Sequence, residues 1–510
     1  MNIQTNADFE GITAYFRDHP DALEPGAVSV EVRETHISYV LLTARCAYKF
    51  KKPVALGFII QDKLEERELN CHREIELNRR LAPEVYLRVL GIDRVGEGYI
   101  ARENAKAPME YCVQMKRLPD HHSLIHLLRE DTITTEDIER IAEALAEFHL
   151  ARKGDKTIAA RHEFGKNMLD NLNVMAGDKL VSPEFIAAVK DYMSARMYAV
   201  RRREVREKII DGHGDLRPDH IYVTPDSVNI IDCVEFNAAI RAADPIEDIA
   251  FVSMALRIEG RPGLAEDFLA SYFSKTVDIA GLPLLPLYEI YRAAVRAKVD
   301  RIMLSSSPGE ERVAYLRERF QGYIAFIRNR MTEKSPPPGR LTLVIGLPAS
   351  GKSVFSAQRR RETGALVLST DVIRKRMLGI HPTSRASRTP NREVFSGAYS
   401  REMSERVYRR QAAMARIALR EGFHVIADGT FLKKRWRERL RRLAQRTGAL
   451  MECCLIEAKE ATIRERLRER KNGSGHSDLD DFNVWLSMRE GFESPDPEEN
   501  FIRFPGEKDS

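Results

Sequence analysis

The sequence predicts two domains of different class: an α+β domain of two lobes, followed by an α/β domain built on a parallel sheet. Three observations predict this architecture. Residues 28–116 contain strand-like apolar runs, and the residues after Ile133 carry apolar side chains mostly at helix spacing. A short apolar strand at 341–345 then runs directly into a glycine-rich loop. At 510 residues the chain is too long for one ordinary core, so two or three domains are expected.

The first domain divides into a strand-rich lobe and a helix-rich lobe. Runs such as 39–42 and 111–115 predict strands, and one helical stretch over about 62–80 interrupts them. We expect the break between the lobes at residues 117–123. The apolar positions that predict the first helix beyond it are Ile138, Ile141, Ala142, Leu145 and Phe148.

A proline-rich segment separates the two domains. Residues 332–340 contain Pro336, Pro337 and Pro338, which lack amide donors, and then Gly339, so neither a helix nor a sheet should continue through them. We therefore predict a first domain over 1–331, with its small lobe ending near 117, a linker over 332–340, and a second domain over 341–510.

The composition is that of an ordinary globular protein, with 43% hydrophobic and 31% charged residues. A net charge of +5 is small for this length and makes no strong case for a nucleic-acid partner. No apolar run is long enough to span a membrane, and the first residues show no secretion signal, so we expect no membrane partner and a cytoplasmic location. The six cysteines form no C-x-x-C pair, which fits reduced thiols.

The loop over 346–353 has the pattern G-x-x-x-x-G-K-S between a strand and a helix, which is the context that a phosphate-binding loop (P-loop) requires. Its glycines allow amide groups to turn toward phosphate oxygens, and the helix N-terminus favours an anion. Lys352 would reach the β- and γ-phosphates of ATP, and Ser353 would ligate Mg²⁺. The predicted nucleotide-binding residues are Gly346, Ser350, Gly351, Lys352 and Ser353.

Two further strands end in carboxylates. Asp371 follows the run 365–370, and Asp428 follows the run 423–427. Because the carboxyl ends of parallel strands line one crevice, both acids should face the P-loop. One can hold Mg²⁺ while the other accepts a proton from an attacking hydroxyl. We assign Asp428 to the metal and Asp371 to the base; the reverse assignment, or a helix-capping role for either acid, stays open.

Three arginines are candidate catalytic residues. Arg374 lies one helical turn after Asp371, and Arg466 and Arg470 share a helix face at i,i+4. The loop over 471–475, with two glycines, is typical of a lid that brings guanidinium groups onto the transferring phosphoryl group. A solvated charged helix is the alternative for any single arginine.

The stretches 368–374 (L-S-T-D-V-I-R) and 427–430 (A-D-G-T) resemble the small P-loop kinases related to zeta toxins and to the kinase part of polynucleotide kinase. The resemblance covers about 341–495 and implies a P-loop NTPase fold. It also implies phosphoryl transfer to a hydroxyl, with the acid and arginine after the second strand binding and activating the acceptor.

The first domain carries a second kinase signature. The sequence H-G-D-L over 213–216, an apolar strand that ends at Asp232, and the segment 241–248 resemble aminoglycoside phosphotransferases and the wider protein-kinase-like fold. By this resemblance Asp215 is the base near the acceptor hydroxyl and Asp232 holds Mg²⁺.

The strand-rich lobe supplies the matching lysine. Lys49 resembles the strand lysine that contacts ATP phosphates, and Glu74 lies on the helix expected to supply its partner. Lys51 and Glu76 are alternatives, since Lys49 and Lys51 share one face of the strand.

Two departures from the family pattern concern activity. His220 stands where the family usually has an asparagine metal ligand; we keep it as a candidate ligand, although Mg²⁺ prefers oxygen. Residues 33–38, where the nucleotide-covering loop should be glycine-rich, contain no glycine. A nucleotide-binding or purely regulatory domain therefore stays open beside an active kinase.

The whole chain resembles bacterial proteins described as bifunctional aminoglycoside phosphotransferase and ATP-binding protein, in which these two domains occur in this order. The resemblance implies an ATP- and Mg²⁺-dependent kinase acting on a small-molecule hydroxyl, with the acceptor and the oligomeric state open.

Two other functions are kept. A nucleic-acid 5′-hydroxyl kinase or RNA-binding regulator is suggested by the basic run 433–442 with Trp436 as a stacking residue, although a solvated helix face is favoured. A nucleotide-controlled regulatory or adaptor protein without turnover is suggested by His220 and the missing glycines.

Overall fold

The computed structural model describes residues 4–56, 59–176, 180–306, 309–334, 336–382, 384, 399–471 and 481–506. The chain divides into two compact units. Met1–Gly260 and Tyr291–Ile324 form the first, and Arg261–Ile290 and Ala325–Ser510 form the second. The predicted domain limits at 331 and 341 stay a prediction; the compact units differ from them because residues 261–290 group with the C-terminal part.

The first lobe of the N-terminal unit is a six-stranded antiparallel sheet with two helices of 15 residues each, one at Gln4–Asp18 and one at Leu64–Asn78. Its strands lie in the order β1-β2-β3-β8-β6-β7. Side chains of α1, among them Phe16, pack with Phe50, whereas Cys71 and Ile75 of α3 belong to a separate cluster with Val113. The elements are α1 (Gln4–Asp18), α2 (Pro20–Leu23), β1 (Glu31–Glu34), β2 (Ser38–Leu42), β3 (Cys46–Lys51), β4 (Ala55–Leu56), β5 (Ile59–Ile60), α3 (Leu64–Asn78), β6 (Tyr86–Val95), β7 (Gly98–Arg102) and β8 (Glu110–Lys116).

The second lobe is mainly helical and begins after a short 3₁₀ turn at Asp120–His122, within the predicted break. A second 3₁₀ turn, Pro218–His220, lies in the predicted catalytic loop. The elements up to residue 258 are α4 (Leu124–Arg129), α5 (Thr135–Leu150), α6 (Lys156–Ala159), α7 (Phe164–Ala176), α8 (Pro183–Ser194), α9 (Met197–Val205), β9 (Ile210–Asp211), β10 (Ile221–Val223), β11 (Val228–Ile230), α10 (Ala238–Arg241), β12 (Ala242–Ala243) and α11 (Pro245–Ile258).

The C-terminal unit contains a five-stranded sheet in the order β14-β15-β13-β16-β17, and all its neighbouring strands are parallel. The predicted parallel sheet is therefore confirmed. The remaining elements of the chain are α12 (Pro262–Thr276), a 3₁₀ turn (Ile279–Leu284), α13 (Leu285–Ser306), α14 (Glu310–Thr332), β13 (Leu341–Ile345), α15 (Lys352–Thr363), β14 (Leu366–Ser369), α16 (Thr370–Met377), α17 (Arg401–Arg420), β15 (Val425–Asp428), α18 (Lys434–Thr447), β16 (Met451–Glu457), α19 (Glu460–Lys471), α20 (Phe482–Glu490), a 3₁₀ turn (Pro497–Glu499) and β17 (Phe501–Pro505).

Helix α12 protects the edge of this sheet. The Ser274 hydroxyl accepts a hydrogen bond of 2.8 Å from the Val367 amide of edge strand β14. The Ser271 hydroxyl accepts another, also 2.8 Å, from Arg360 of α15. An exposed strand edge can pair with another chain, and α12 covers this edge.

Within the described ranges, the structure contains no helix that is both long enough and apolar enough to cross a membrane.

Candidate functional site

The P-loop lies between β13 and α15, as the sequence predicts. Gly351 has φ +101°, and a Cβ placed there would come 2.8 Å from the Gly506 carbonyl oxygen, so the position requires glycine. At Gly346 a Cβ would come 2.5 Å from the Ile456 carbonyl oxygen. The loop is thus held between β16 and the end of β17, with the Ser350 side chain buried and Ser353 exposed.

Arg466 of α19 braces this loop. Its guanidinium donates to the Ala349 carbonyl at 3.0 Å and to the Gly506 carbonyl at 2.7 Å. The Gly506 amide in turn donates to the Glu457 carbonyl at 2.7 Å. Sequence reasoning missed Gly506, because a glycine near the end of the chain carries no signal that it touches the P-loop. In this arrangement Arg466 contacts the loop backbone, and its contact with a phosphoryl group stays a prediction.

Asp428 lies at the end of β15, in register with Val344 of β13, so it lies beside the strand that leads into the P-loop. Its side chain is buried, and burial raises its pKa; Asp371 adds to this shift, while Lys352 opposes it. The Gln411 amide donates to the carbonyl of Asp428 at 3.1 Å and to that of Leu368 at 2.6 Å. Gln411, which the sequence did not single out, thereby ties together the ends of β14 and β15.

Asp371 lies in the first turn of α16, where its amide donates to the Ser369 hydroxyl at 3.3 Å. Its carboxylate pairs with the Lys375 ammonium at 3.0 Å and accepts a hydrogen bond from the Tyr399 hydroxyl at 3.3 Å. Arg374 stacks on the same tyrosine, 4.4 Å from the ring centre. The predicted acid and arginine therefore meet at one aromatic ring.

Three ionisable groups around the P-loop, Lys352, Asp428 and Arg470, have shifted pKa values. Burial and the positive charge of Arg470 lower the pKa of Lys352 to about 8, although Asp428 opposes the shift. Burial lowers the pKa of Arg470 as well, and Asp371 opposes that shift. The predicted lid residues 472–475 lie outside the described residues. Lys352, Arg470, Asp371 and Asp428 thus act on one another electrostatically.

In the N-terminal unit, Glu74 joins both candidate lysines. Its carboxylate, which is fully buried, accepts from Lys49 at 2.8 Å and from Lys51 at 2.7 Å. Lys49 also pairs with Asp232, and Lys51 also pairs with Glu235. These carboxylates raise the pKa of Lys49 although burial opposes them. The alternative partner Glu76 is exposed.

Asp248 holds the predicted catalytic loop in place. Its carboxylate accepts hydrogen bonds from the amides of His213 at 2.7 Å and Gly214 at 3.0 Å. The His213 ring lies 3.0 Å from the Ile231 carbonyl through Nε2, and burial lowers its pKa to about 4, so the ring is neutral near pH 7. A neutral ring that donates through Nε2 can accept the Asp215 amide at Nδ1, 3.3 Å away.

Arg217, to which no sequence pattern assigned a function, lies in the predicted catalytic loop. Its guanidinium is 3.4 Å from the Asp215 carboxylate and 2.7 Å from that of Asp219. It also reaches Nε2 of His220 at 2.5 Å, while Nδ1 of this ring is 3.0 Å from the Asp215 carbonyl. Both ring nitrogens of His220 are thus engaged within the loop, 3.5 Å from Asp232, and its role as a metal ligand stays a prediction.

The β1–β2 hairpin replaces the expected glycine-rich loop. Arg33 at the end of this hairpin donates to the Asp120 carboxylate at 2.9 Å, and Asp120 belongs to the 3₁₀ turn between the lobes. Both side chains are about half exposed, so the pair adds little stability. Among the residues that the structure describes, no group of three or more His, Cys, Asp or Glu side chains is arranged to hold a metal.

Trp436, the proposed stacking residue, is only 8% exposed. Its ring stacks on Tyr408 of α17 with centroids 5.0 Å apart and planes at 19°. A side chain packed in this way is not available to stack on a nucleic-acid base.

Comparison with known proteins supports both domains. The family model described as "Phosphotransferase enzyme family" matches residues 48–285, and that described as "AAA domain" matches residues 341–495. The chain is 31% identical over 465 residues to "Uncharacterized protein Rv2004c" of Mycobacterium tuberculosis, with 89% of each chain covered. The predicted pairing of an aminoglycoside-phosphotransferase-like domain with a P-loop domain, in this order, is confirmed.

Two solved structures are similar over one domain each. A choline/ethanolamine kinase family protein from Mesorhizobium loti is 15% identical, covering 62% of this chain and 99% of that chain, with a TM-score of 0.38. Kti12 of Chaetomium thermophilum, in complex with ADP-AlF3, is 19% identical, covering 32% of this chain and 88% of that chain, with a TM-score of 0.24.

Proposed function

Since the chain belongs to the family of the mycobacterial protein Rv2004c, which it matches across both kinase-type domains, we propose that it is an ATP-dependent kinase whose C-terminal domain phosphorylates a hydroxyl of a small molecule. The two family matches support a phosphotransferase function in general. The observation that carries the finer proposal is the strand register: Asp428 lies opposite Val344, two residues before the P-loop, and opposite Ser369, two residues before Asp371.

The donor set of this site fits Mg²⁺. Ser353 offers an exposed hydroxyl and Asp428 a carboxylate, and Mg²⁺ prefers oxygen ligands, of which the protein often supplies one or two beside substrate phosphates. When bound, the ion neutralises charge on the β- and γ-phosphates. Burial raises the pKa of Asp428. A cation bound beside the carboxylate would lower that pKa again and so favour the ionised form.

The residues of this chain have separate roles in the transfer. Asp371 accepts the proton of the acceptor hydroxyl, whose oxygen forms a bond to the γ-phosphorus. The bond from that phosphorus to the β,γ-bridging oxygen breaks, and ADP leaves with the electron pair. Lys375 pairs with the Asp371 carboxylate at 3.0 Å and so fixes its position. Lys352 and Arg470 supply positive charge where negative charge spreads over the phosphoryl oxygens.

An unbiased screen tests this proposal. The full chain, with Mg²⁺ and ATP radiolabelled at the γ-phosphate, is incubated with a metabolite pool, and labelled products are identified. We expect a phosphorylated metabolite. Lys352→Ala and Asp371→Asn should each lower its formation by about a hundredfold or more, because each removes a preorganised contact. Arg468→Ala, an exposed arginine of α19, is the matched control. Turnover that survives both substitutions would show that the C-terminal site is not the kinase.

A regulatory role is the second candidate for the N-terminal domain, and the contacts of Arg217 and His220 favour it. Arg217 lies among Asp215, Asp219 and His220, so a cation of the chain already pairs with the predicted catalytic acid. Both ring nitrogens of His220, the candidate metal ligand, are also engaged within the loop. In this proposal the N-terminal domain binds nucleotide and turns it over slowly.

A further inference from the structure

An exposed surface of the C-terminal unit carries arginines in two neighbouring rows. Helices α17 and α18 pack side by side through the stacked rings of Tyr408 and Trp436. Their buried side chains face inward, and the opposite side of each helix is rich in arginine. Six of these arginines, which we call the arginine face, are exposed: Arg406, Arg410, Arg416, Arg420, Arg439 and Arg446.

The arginine face lacks its own counter-charges. Within the described ranges no ion pair joins any of its six guanidinium groups to a carboxylate. Glu405 pairs with Arg409 at 2.9 Å and Glu438 with Arg442 at 3.0 Å, while Glu402, one turn before Arg406, forms no ion pair with it in the described structure. The positive charge of the face is therefore left for an external anion.

The spacing of the charges opposes folding of the free helices. Arg406 and Arg410 are separated by four residues, as are Arg416 and Arg420, and like charges at i,i+4 destabilise a helix. A polyanion that neutralises several guanidinium groups at once relieves this repulsion. The geometry thus points to a ligand with many regularly spaced negative charges.

A nucleic-acid duplex fits this face better than a membrane does. A helix that binds a membrane surface needs large apolar side chains beside its basic ones, and none of the exposed large apolar residues lies on α17 or α18. Packed helices are generally about 8–10 Å apart between their axes, which is comparable with the roughly 12 Å width of a major groove. With Trp436 buried, the described face offers no stacking platform for a single strand.

We propose that the arginine face is a docking site for the phosphate backbone of a nucleic-acid duplex. The face contacts phosphates and no base edges. The site is distinct from the P-loop and needs no ATP, so duplex binding can be tested independently of the proposed kinase activity. Binding should be indifferent to sequence and strongly dependent on salt. If all six arginines neutralise phosphates, the slope of log K against log salt is about −5.

The test is fluorescence anisotropy of a labelled 20-base-pair DNA duplex with the full chain, without nucleotide, over a salt series. Arg410→Glu with Arg416→Glu changes one row, and Arg439→Glu with Arg446→Glu changes the other. Each pair should weaken binding by tenfold or more and flatten the salt slope by about two. Lys352→Ala should leave duplex binding unchanged.

The matched control is Arg201→Glu with Arg206→Glu, two exposed arginines of the N-terminal unit that give the same change in net charge. Equal losses in the control and in the face variants, no binding by the wild-type chain, or a flat salt dependence would overturn the proposal. So would tighter binding to an unpaired 20-nucleotide strand, or to vesicles with 30% phosphatidylserine, than to the duplex. Unchanged circular dichroism melting of each variant shows that losses are not due to unfolding.

Discussion

At the scale of single residues, Lys352 shows how the site tunes its own charge. A lysine is normally protonated far above neutral pH, but burial and Arg470 bring the pKa of Lys352 to about 8. Its Nζ donates to the Leu347 carbonyl at 2.8 Å, so the amine is held within the loop. The pKa lies close to physiological pH, and a bound phosphate must raise it because an anion favours the charged form.

ATP affinity at the C-terminal site should therefore depend on pH. Below pH 8 Lys352 is already protonated, and ATP affinity at the C-terminal site should be level. Above pH 8 the affinity should fall by up to about tenfold per unit, because binding then requires uptake of a proton. Arg470→Met removes a like charge and should move the break to higher pH. Titration calorimetry from pH 6.5 to 9.5 measures this, with Lys352→Ala as the blank and Arg468→Met as control. A break that stays at the same pH in Arg470→Met contradicts the assigned cause.

At the scale of elements, the last strand supports the P-loop. Strand β17 pairs with β16 in parallel and ends beside Gly506, whose carbonyl oxygen accepts a hydrogen bond from Arg466. A Cβ on Gly506 would lie only 1.8 Å from the Ser350 carbonyl oxygen. The P-loop conformation therefore depends on a residue that is distant in sequence and has no phosphate-binding pattern.

Gly506→Ala should accordingly displace the P-loop. We expect destabilisation by about 1–3 kcal/mol, typical of overpacking, and an ATP affinity lowered by about tenfold or more. Both tryptophans of the chain, Trp436 and Trp485, lie in the C-terminal unit, so tryptophan fluorescence during urea unfolding reports on this unit. Gly491→Ala, where a Cβ meets only an ordinary contact at 3.5 Å, is the control. Equal behaviour of the two variants would show that the close approach is unimportant.

Within the N-terminal unit, His162 joins two helices. Its ring contacts Glu204 of α9 at 2.8 Å and Glu247 of α11 at 3.1 Å. Burial lowers its pKa, but the two carboxylates outweigh burial and raise the pKa to about 9. A raised pKa in the folded state means that the stabilisation is complete below about pH 6.5 and is lost as pH rises through about 9.

The expected size of this effect is roughly 3 kcal/mol at most. After correction for the intrinsic exchange rate at each pH, the amide hydrogens of α9 and α11 should therefore be less protected at pH 10 than at pH 6.5. His162→Gln should lose protection at pH 6.5 and show little further change at pH 10. Protection that falls equally in both proteins would assign the pH dependence to other groups.

At the scale of the whole molecule, the two domains differ in how complete their sites are. The C-terminal unit places both acids at the ends of neighbouring strands, beside the strand and helix that flank the P-loop lysine. The N-terminal unit ties Lys49 to Glu74 and Asp232, but it has His220 in place of an asparagine ligand and no glycine in the β1–β2 turn.

We therefore predict that most ATP consumption by the intact protein comes from the C-terminal site. Loss of a single preorganised contact commonly costs about 3–4 kcal/mol, or a hundredfold or more in rate, and the N-terminal site departs at two positions. Lys352→Ala should remove most ADP release by the full chain, and Asp215→Asn should remove little. The opposite result would make the N-terminal domain the principal kinase.

The sequence by itself determined the two fold classes, the strand that leads into the P-loop, and the positions of Asp371 and Asp428, because these rest on local patterns of apolar spacing and glycine. It left open which lysine Glu74 binds, and only the tertiary structure shows that this buried carboxylate joins both Lys49 and Lys51.

Only the tertiary structure also brought Gly506 and Arg466 to the P-loop and grouped residues 261–290 with the C-terminal unit. The physical reason is common to all of them. Each contact joins side chains or backbone groups whose positions are set by the packing of separate elements, and no local sequence pattern encodes that packing.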